Sequence, residues 1–443
     1  MFDRFGSIPP PHPALDPNTH LIPGLKAFIK AGAHVPTNLS TNDLTVATAQ
    51  TWLKTQDPLT LSLVLCFWSS VVTWFLGEVT GNVSQVDRIW TFMPVIYSAI
   101  LTLHPHWQSY DFKLFTLPKL SWSSRASWDK NFVDLLVPSG VDPRMMLILL
   151  LQVLWSLRLT SNAIRRGFFD PRTEDYRWPF IRERFPGGKL SFKVFNLVFI
   201  AFIQNIILMA TALPQYVLLT SRASAHPTHA APALGRTDLI LTGWYLVNLY
   251  LEFVADNQHQ RYQNWKHGSG REGRPGQVGK TARQMQIDEG RLRRGFCTEG
   301  LWAYSRHPNF LCEQTGWFIL YLFSVHATVS PTVINTVYKS FDAALTTRSI
   351  DPVKAIAHSA WPHFFTFALA GPLSMWMIFA GSTWLTELIS SRKYPLYKQY
   401  QRRVGRFTPD GTLLKSIWLL LTGSYGKVTE DVFGQAPKQI KSQ

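Results

Sequence analysis

Long stretches without a single charged residue are the feature that most constrains this sequence. Five such windows, each of 20 to 32 residues, lie at 58–77, 89–110, 194–221, 314–338 and 355–386. An α-helix needs about 20 predominantly apolar residues to cross the hydrocarbon core of a bilayer. Its backbone groups must also be satisfied internally, because lipid offers no hydrogen-bonding partners. The sequence therefore predicts an all-α, multipass helical membrane protein.

Two shorter apolar windows add to this count. The segments MMLILLLQVLWSL (145–157) and LILTGWYLVNLYL (239–251) each hold 13 uncharged residues between charged ones. We interpret them as membrane helices with functional charges at their ends, which gives about seven transmembrane helices. The segment IWLLLTGSY near the C-terminus is too short to span and is expected at the membrane interface. The alternative is a soluble all-α protein, but a soluble core seldom needs five windows of this length.

Composition supports the membrane interpretation. Charged residues make up 16% of the 443 positions and hydrophobic residues 46%, whereas a charged share of about 25% is usual. The net charge of +16 would suggest nucleic acid as the partner of a soluble protein. Here the basic residues lie between apolar blocks, so we expect a lipid bilayer and no nucleic-acid partner. The three scattered cysteines predict neither a disulfide framework nor a metal site.

The distribution of lysine and arginine predicts the orientation of the chain. The segment 161–194 holds eight of these residues and 257–300 holds nine, and the tail after Glu387 is again basic. Two predicted crossings separate each of these segments from the next, so all three lie on one side. The positive-inside rule makes that side cytosolic. The glycine-rich stretch 268–280 is expected to be a cytosolic loop.

Three segments are expected along the chain. Residues 1–57 form an N-terminal extension, residues 58–410 form the helical membrane domain, and residues 411–443 form a C-terminal tail. Chemically informative residues are concentrated in 237–410, on the side assigned to the cytosol.

In LEFVADNQHQR, Glu252 and Asp256 are four residues apart and share a helix face. They indicate either a solvated helix end or the wall of a polar pocket, because acids beside lipid are costly unless wet, paired or liganded.

A second group of polar residues follows in RLRRGFCTEGLWAYSRHPNFLCEQ. Arginines among aromatic residues and glycines are suited to a phosphate-bearing ligand, because guanidinium groups make bidentate contacts and aromatic rings can stack on the ligand. A basic patch that binds lipid headgroups is the alternative, but such a patch does not require an amide or an intramembrane acid. The residues of interest are Arg294, Trp302, Tyr304, Arg306, His307, Asn309 and Glu313.

A third group ends the last long apolar window. The segment ELISSRKYPLYKQYQRR contributes Glu387, Arg392 and Tyr394. Basic and aromatic residues are common where a helix meets the membrane interface. This group therefore indicates a functional site only in combination with the other two groups.

The motif GLWAYSRHPNFLCE resembles the SRHPNYxGE signature of the DUF1295 membrane proteins, which are related to steroid 5-alpha-reductases and more distantly to sterol C14-reductases. The segments GNVSQVDRIW, LRLTSNAIRRGFF, EFVADNQ and ELISSRKYPLYKQY occur in the order typical of that family. The resemblance covers roughly residues 60–410. The chain departs from the signature at Phe310, where the family has tyrosine, and at Cys312, where it has glycine.

The resemblance implies a membrane reductase that binds NADPH from the cytosol and transfers hydride to an activated C=C bond of a lipophilic, steroid- or lipid-like substrate. It implies Tyr304 and Glu313 as catalytic candidates that polarise or protonate the substrate. Endoplasmic reticulum residence is a further implication. The cofactor-binding residues implied by the motifs are Asp256, Arg294, Trp302, Arg306, His307, Asn309, Glu387, Arg392 and Tyr394.

Two other functions stay open at this point. A membrane methyltransferase that uses S-adenosylmethionine is one, because related enzymes share a similar RHPxYxG pattern. A non-catalytic membrane scaffold is the other, since the fold can persist without the chemistry, and Cys312 favours it to some degree. The substrate, the bond reduced and the oligomeric state are not determined by the sequence.

Overall fold

The computed structural model describes residues 8–31, 46–109, 141–223, 234–268 and 282–434. The elements in these ranges are helical and include no β-strand, which confirms the predicted all-α class. Most of the glycine-rich stretch 268–280 and most of the predicted connection 105–143 lie outside the described residues.

The chain divides into two compact units. Unit 1 comprises residues 1–244 and 317–375, and unit 2 comprises residues 245–316 and 376–443. The expected segmentation at residues 57 and 410 follows different boundaries and stays a prediction.

Unit 1 contains the first ten α-helices of the described chain. A 3₁₀ turn (Pro13–Leu15) precedes them, and a π-helical segment (Asn196–Ile203) joins α8 to α9. The helices are α1 (Leu21–Ala31), α2 (Val46–Thr55), α3 (Pro58–Thr80), α4 (Gln85–Ile89), α5 (Met93–Ser109), α6 (Pro143–Arg165), α7 (Arg177–Arg184), α8 (Gly188–Phe195), α9 (Gln204–Ala210) and α10 (Leu213–Ala223).

The remaining helices belong to the second half of the chain. Of these, α11, α13 and α16 contain the boundaries between the two units. Short 3₁₀ turns lie at Gly300–Ala303 and Phe367–Leu369. The helices are α11 (Arg236–His267), α12 (Ala282–Arg294), α13 (Pro308–Thr328), α14 (Pro331–Thr347), α15 (Asp351–Phe364), α16 (Ala370–Lys393), α17 (Tyr397–Arg403), α18 (Pro409–Leu421) and α19 (Tyr425–Phe433).

Local sequence signals set the ends of the long apolar helices. Asp57 caps α3 by accepting a hydrogen bond from the backbone N–H of Thr60, and the helix ends at Gly81 in the left-handed conformation. Asp142 caps α6 in the same way. Each helix has proline at its first position, where the missing N–H has no intrahelical partner to lose. The apolar windows therefore begin at defined residues.

Three continuous helical stretches are long and apolar enough to cross a membrane: Pro58–Thr80, Pro143–Arg165 and Gly188–Ala210. Two helix pairs also qualify when each is taken as one bent span, α13 with α14 at 108° and α15 with Phe367–Lys393 at 67°. The described residues thus contain three to five candidate spans, and the multipass prediction is confirmed.

This count is lower than the predicted figure of about seven. The window 89–110 lies mainly in α5, which is 17 residues long and contains Pro105. This helix is shorter than the roughly 20 residues that a membrane span needs. The window 239–251 lies in α11, which does not hold a sufficiently apolar stretch of 18 residues. These two segments account for the difference between seven predicted crossings and at most five candidate spans.

Unit 1 is held together by apolar packing and by a buried ion pair. Arg144 Nε donates to Asp238 Oδ1 at 2.6 Å and Arg144 Nη2 donates to Asp238 Oδ2 at 2.9 Å. Both side chains are buried. These two charges bound the short windows 145–157 and 239–251, so they neutralise each other instead of facing lipid.

Unit 2 has an aromatic core. Phe296 packs on Tyr397 and Tyr400 in a cluster that also contains Val404 and Leu419. A second cluster joins Tyr262, Trp265, Cys297 and Trp302. These clusters hold α11, α17 and α18 around the loop that carries the candidate site. The segment IWLLLTGSY lies largely in α18, which has 13 residues, consistent with a segment too short to span.

Candidate functional site

The segment 305–308 is fixed by its backbone before its side chains are considered. The backbone N–H of Arg306 donates to the carbonyl of Gly405 at 3.0 Å, and that of His307 donates to the carbonyl of Arg406 at 3.1 Å. The proline that follows begins α13 at a position that suits proline. These bonds fix the backbone from which the side chains of Arg306 and His307 extend.

Glu387 is the point on which this segment converges. Arg306 Nε donates to Glu387 Oε1 at 2.7 Å, and His307 Nε2 lies 3.1 Å from the same oxygen. Gln401 Nε2 donates to Glu387 Oε2 at 3.0 Å. All three partners are donors supplied by the protein, so the Glu387 carboxylate holds Arg306 and His307 in place.

The buried setting of His307 favours its neutral form. Burial is the main cause that lowers the pKa of its imidazole, and the charges of Arg306 and Arg406 lower it further, against the opposing effect of Glu387. Because a carboxylate oxygen can only accept, the contact with Glu387 Oε1 requires the tautomer with the proton on Nε2, which then donates a hydrogen bond. The other face of the network is closed by Phe310, whose ring stacks on His307 with centroids 5.6 Å apart.

A second, partly buried pair lies at the start of α13. Asn309 Nδ2 donates to Asp256 Oδ1 at 3.2 Å. Asn309 Oδ1 is buried and has no hydrogen-bonding partner within the described part of the chain. Glu313 is buried and lies four residues after Asn309, so the two share a helix face. This face therefore presents an acceptor and a carboxyl group together.

Aromatic rings and a glycine border the same loop. Trp302 Nε1 donates to the carbonyl of Ala255 at 3.1 Å. His259 stacks on the Trp302 ring with centroids 5.0 Å apart. Gly300 has a φ of +60°, and a Cβ there would lie 2.3 Å from Gln258 Nε2. Glycine is therefore required where the chain turns against α11.

Arg294 ends α12 beside a cavity of about 310 Å³. Its Nη1 donates to the carbonyl of Gly434 at 2.7 Å. Its Nε is buried without a hydrogen-bonding partner among the described residues. Arg291 lines the same cavity and is paired with Glu299 at 2.6 Å. The other lining residues are Ile287, Thr298, Phe433 and Gly434.

Tyr394 also lies in unit 2, packed against the end of α11. Lys266 Nζ donates to Tyr394 Oη at 2.7 Å and to the carbonyl of Gly295 at 2.7 Å. Gly295 has a φ of +78°, and a Cβ there would lie 2.4 Å from the Tyr394 ring. Tyr394 is thus built into the support of the loop that follows Arg294.

Two predicted site residues are not brought into the buried groups. The Tyr304 side chain is 61% exposed, and its backbone carbonyl, not its hydroxyl, accepts a hydrogen bond from Thr412 Oγ1. Arg392 is exposed as well. The remaining nine candidates are buried or partly buried in unit 2. Tyr304 faces outwards because the turn that begins at Gly300 buries Trp302 and Arg306 on the opposite side.

Several partners of the site were not singled out from the sequence. Gln401 bonds Glu387, Gln258 Oε1 accepts from the backbone N–H of Leu301 at 2.9 Å, and Lys415 Nζ donates to the carbonyls of Gln401 and Val404. A glutamine or lysine in a polar segment gives no signal of its own. Only the hydrogen bonds of the folded chain identify these residues.

Comparison with known proteins places the chain in a family. The model of the DUF1295 family, described as a protein of unknown function, matches residues 130–340. The chain is 31% identical over 359 residues to the uncharacterized protein C594.04c of Schizosaccharomyces pombe, covering 80% of this chain and 81% of that protein. No solved structure matches the chain.

The fold and the buried polar network thus define an all-α multipass membrane protein. The chain belongs to the DUF1295 family. Most of the candidate site, from Asp256 to Glu313, lies within the matched residues, whereas Glu387, Arg392 and Tyr394 follow them.

Proposed function

We propose that this protein is an NADPH-dependent membrane reductase that transfers hydride to an activated C=C bond of a lipophilic substrate. The proposal rests on the hydrogen bonding of the Asn309 side chain. One end of its buried amide is bonded to Asp256, and the other end is a buried acceptor without a partner in the described chain. A buried polar atom left unpaired is costly, so it is typical of a place where a ligand completes the bonding.

The donor and acceptor groups present suit the coenzyme. The carboxamide and ribose hydroxyls of a nicotinamide nucleotide are hydrogen-bond donors, and Asn309 Oδ1 offers them a buried acceptor. Arg294, with its unpaired Nε beside the cavity, offers a guanidinium to a phosphate. The stacked rings of His259 and Trp302 offer a flat surface. When bound, NADPH supplies the hydride.

The residues of the chain then divide into contact and support. Asn309, Asp256 and Arg294 would contact the coenzyme. Glu387 would act as a positioning residue, because protein donors occupy both of its oxygens. Of the two catalytic candidates, Glu313 is buried on the face of α13 that carries Asn309, whereas Tyr304 is exposed. We therefore favour Glu313 as the group that delivers a proton to the substrate.

Coenzyme binding by the purified full-length chain in detergent tests this proposal. NADPH should bind with low-micromolar affinity and S-adenosylmethionine should not. The variant Asn309→Leu should weaken NADPH binding by about tenfold or more, since an apolar side chain cannot replace the acceptor. The matched control is Asn264→Leu, a partly buried asparagine of α11, which should bind NADPH as the original chain does.

The other readings predict different outcomes. Preferential binding of S-adenosylmethionine would favour a methyltransferase. Failure of both coenzymes to bind a folded chain would reject the reductase proposal and favour a scaffold. If NADPH binds but neither Asn309→Leu nor Arg294→Met weakens its binding, the coenzyme lies elsewhere. The exposed Arg402→Met serves as the matched control for the arginine.

A further inference from the structure

Four polar side chains are fully enclosed among the apolar helices of unit 1. Ser98 and Thr102 lie on α5, Gln152 on α6 and Gln215 on α10, and each has 0% of its surface exposed. We refer to them as the inner polar cluster. Enclosing a glutamine among apolar helices is energetically costly, because its amide can form up to four hydrogen bonds that lipid and apolar side chains cannot provide.

Most of the hydrogen-bonding capacity of this cluster is unused. Gln215 Nε2 donates to Ser98 Oγ at 2.8 Å. In contrast, both polar atoms of the Gln152 amide, the hydroxyl of Thr102 and Oε1 of Gln215 are buried with no partner in the described ranges. A threonine in a helix can normally satisfy its hydroxyl on the carbonyl one turn back, and Thr102 does not. The cluster thus holds unmatched donors and acceptors.

The four residues of the inner polar cluster lie on three helices that pack against one another. Helices α5, α6 and α10 pack against one another in all three pairs. Ala99 and Leu103 of α5 pack on the cluster that contains Leu149 of α6, and each of these residues lies within one turn of a member of the inner polar cluster. The Ser98–Gln215 bond ties α10 to the same place.

We propose that the inner polar cluster binds the oxygen function, a ketone or hydroxyl, of a lipophilic ligand. The Gln152 amide offers one donor group and one acceptor, which matches either form of oxygen. The cluster contains no charged side chain, so a carboxylate or phosphate would be poorly stabilised there. Trp155, one turn along α6, is buried and packs edge-on against Trp317 with centroids 4.9 Å apart, which provides an apolar aromatic wall.

This inference goes beyond the proposed function, because the inner polar cluster lies in unit 1 and ligand binding there does not depend on NADPH. The ligand that it predicts is a lipophilic molecule that carries an uncharged oxygen. Internal water is the competing occupant, because water can also satisfy amides and hydroxyls. Two ligands that differ only in the oxygen separate these cases.

The test uses the full-length chain in detergent without NADPH. The probes are androst-4-en-3-one and androst-4-ene, which share one ring skeleton and differ by the ketone. We expect the ketone to bind about tenfold or more tightly than the hydrocarbon and to raise the unfolding temperature accordingly. In Gln152→Leu, both probes should bind equally, because the partner of the ketone is gone. Thr102→Val provides a second variant if Gln152→Leu fails to fold.

The control is Gln204→Leu, another buried glutamine of unit 1, which should keep the preference for the ketone. Equal binding of both probes to the unsubstituted chain would overturn the inference and assign the cluster to water. A preference for the ketone that survives both Gln152→Leu and Thr102→Val would also overturn it. Either result, with NADPH binding intact, would leave the proposed function standing.

Discussion

Arg306 and Glu387 form an ion pair of 2.7 Å in which each side chain is only 4% exposed. They are 81 residues apart in the sequence, and the pair joins the loop before α13 to α16. Arg306 also donates to the carbonyls of Gln401 and Val404. A buried, charged guanidinium that donates several hydrogen bonds fixes the relative positions of the groups that accept them. This pair therefore fixes the loop that carries His307 and, directly after it, the start of α13 that carries Asn309.

Removing one partner of this pair should be strongly destabilising. Arg306→Met leaves the Glu387 carboxylate buried without its main counter-charge, and such changes typically cost about 3–5 kcal/mol. The double variant Arg306→Met/Glu387→Met should lose less than the sum of the single changes, because it leaves no unpaired charge. Thermal unfolding of the four proteins of this cycle in detergent measures the coupling.

Additive losses in that cycle would contradict this account of the pair. Arg403→Met is a useful reference, since Arg403 is bonded to neutral hydroxyls of Thr429, Ser416 and Tyr425 and not to a carboxylate.

Stability should fall in mild acid because of His307. Burial lowers the pKa of its imidazole in the folded state below the ordinary value of 6.5. Above that value both states hold the neutral ring. As the pH falls below about 6.5, the unfolded chain takes up a proton that the folded chain resists, so folding is disfavoured. His307→Asn should flatten the decline in unfolding temperature between pH 7 and 5.5.

The exposed His358→Asn is the control for that measurement and should retain the original profile. A profile that is the same for His307→Asn and the unsubstituted chain would show that His307 does not titrate in this range.

Lys415 should be unusually reactive for a lysine. Burial, followed by the positive charge of Arg306, lowers the pKa of its ammonium from 10.5 to about 8. Acetylation by an activated ester should therefore rise with a midpoint near pH 8, because the neutral amine is the nucleophile. Quantitative mass spectrometry of the labelled peptide gives this midpoint. Arg306→Met should move it upwards, since one of the repelling charges is removed.

The exposed Lys427 provides the comparison within the same sample. A midpoint for Lys415 that is unaffected by Arg306→Met would mean that the two side chains do not interact in solution.

The sequence predicted the class of fold because that class rests on a strong local signal. Long uncharged windows can be accommodated only as membrane or core helices. Helix spacing placed Glu252 and Asp256 on one face, and both side chains are buried. The motif residues from Asp256 to Glu387 were expected to be near one another on grounds of resemblance, and the pairs Asp256–Asn309 and His307–Glu387 are indeed formed.

What the sequence did not predict depends on tertiary contacts. The bends after Thr328 and Phe364 divide apolar windows that were each predicted to be one span. Pro331 begins the helix after the first bend and Pro362 lies in the last turn before the second, but the windows were defined by the absence of charge, which takes no account of proline. Tyr304 was chosen for the chemistry of its hydroxyl, but the 3₁₀ turn at Gly300 directs its side chain outwards. The inner polar cluster escaped notice because its glutamines and hydroxyls are isolated within apolar segments, and only burial reveals that they lack partners.

Gly295 should be intolerant of any side chain, for a reason that can be separated from its backbone conformation. Its φ of +78° and the φ of +68° at Gly268 are both left-handed, but a Cβ at Gly295 would lie 2.4 Å from the Tyr394 ring, whereas one at Gly268 would meet no described atom within 4 Å. Both alanine substitutions incur about 1–2 kcal/mol of backbone strain. Only Gly295→Ala should also displace Tyr394, disturb its bond to Lys266 and weaken NADPH binding. Similar unfolding temperatures for the two variants would show that Tyr394 can move without cost, and the support assigned to this tyrosine would then be wrong.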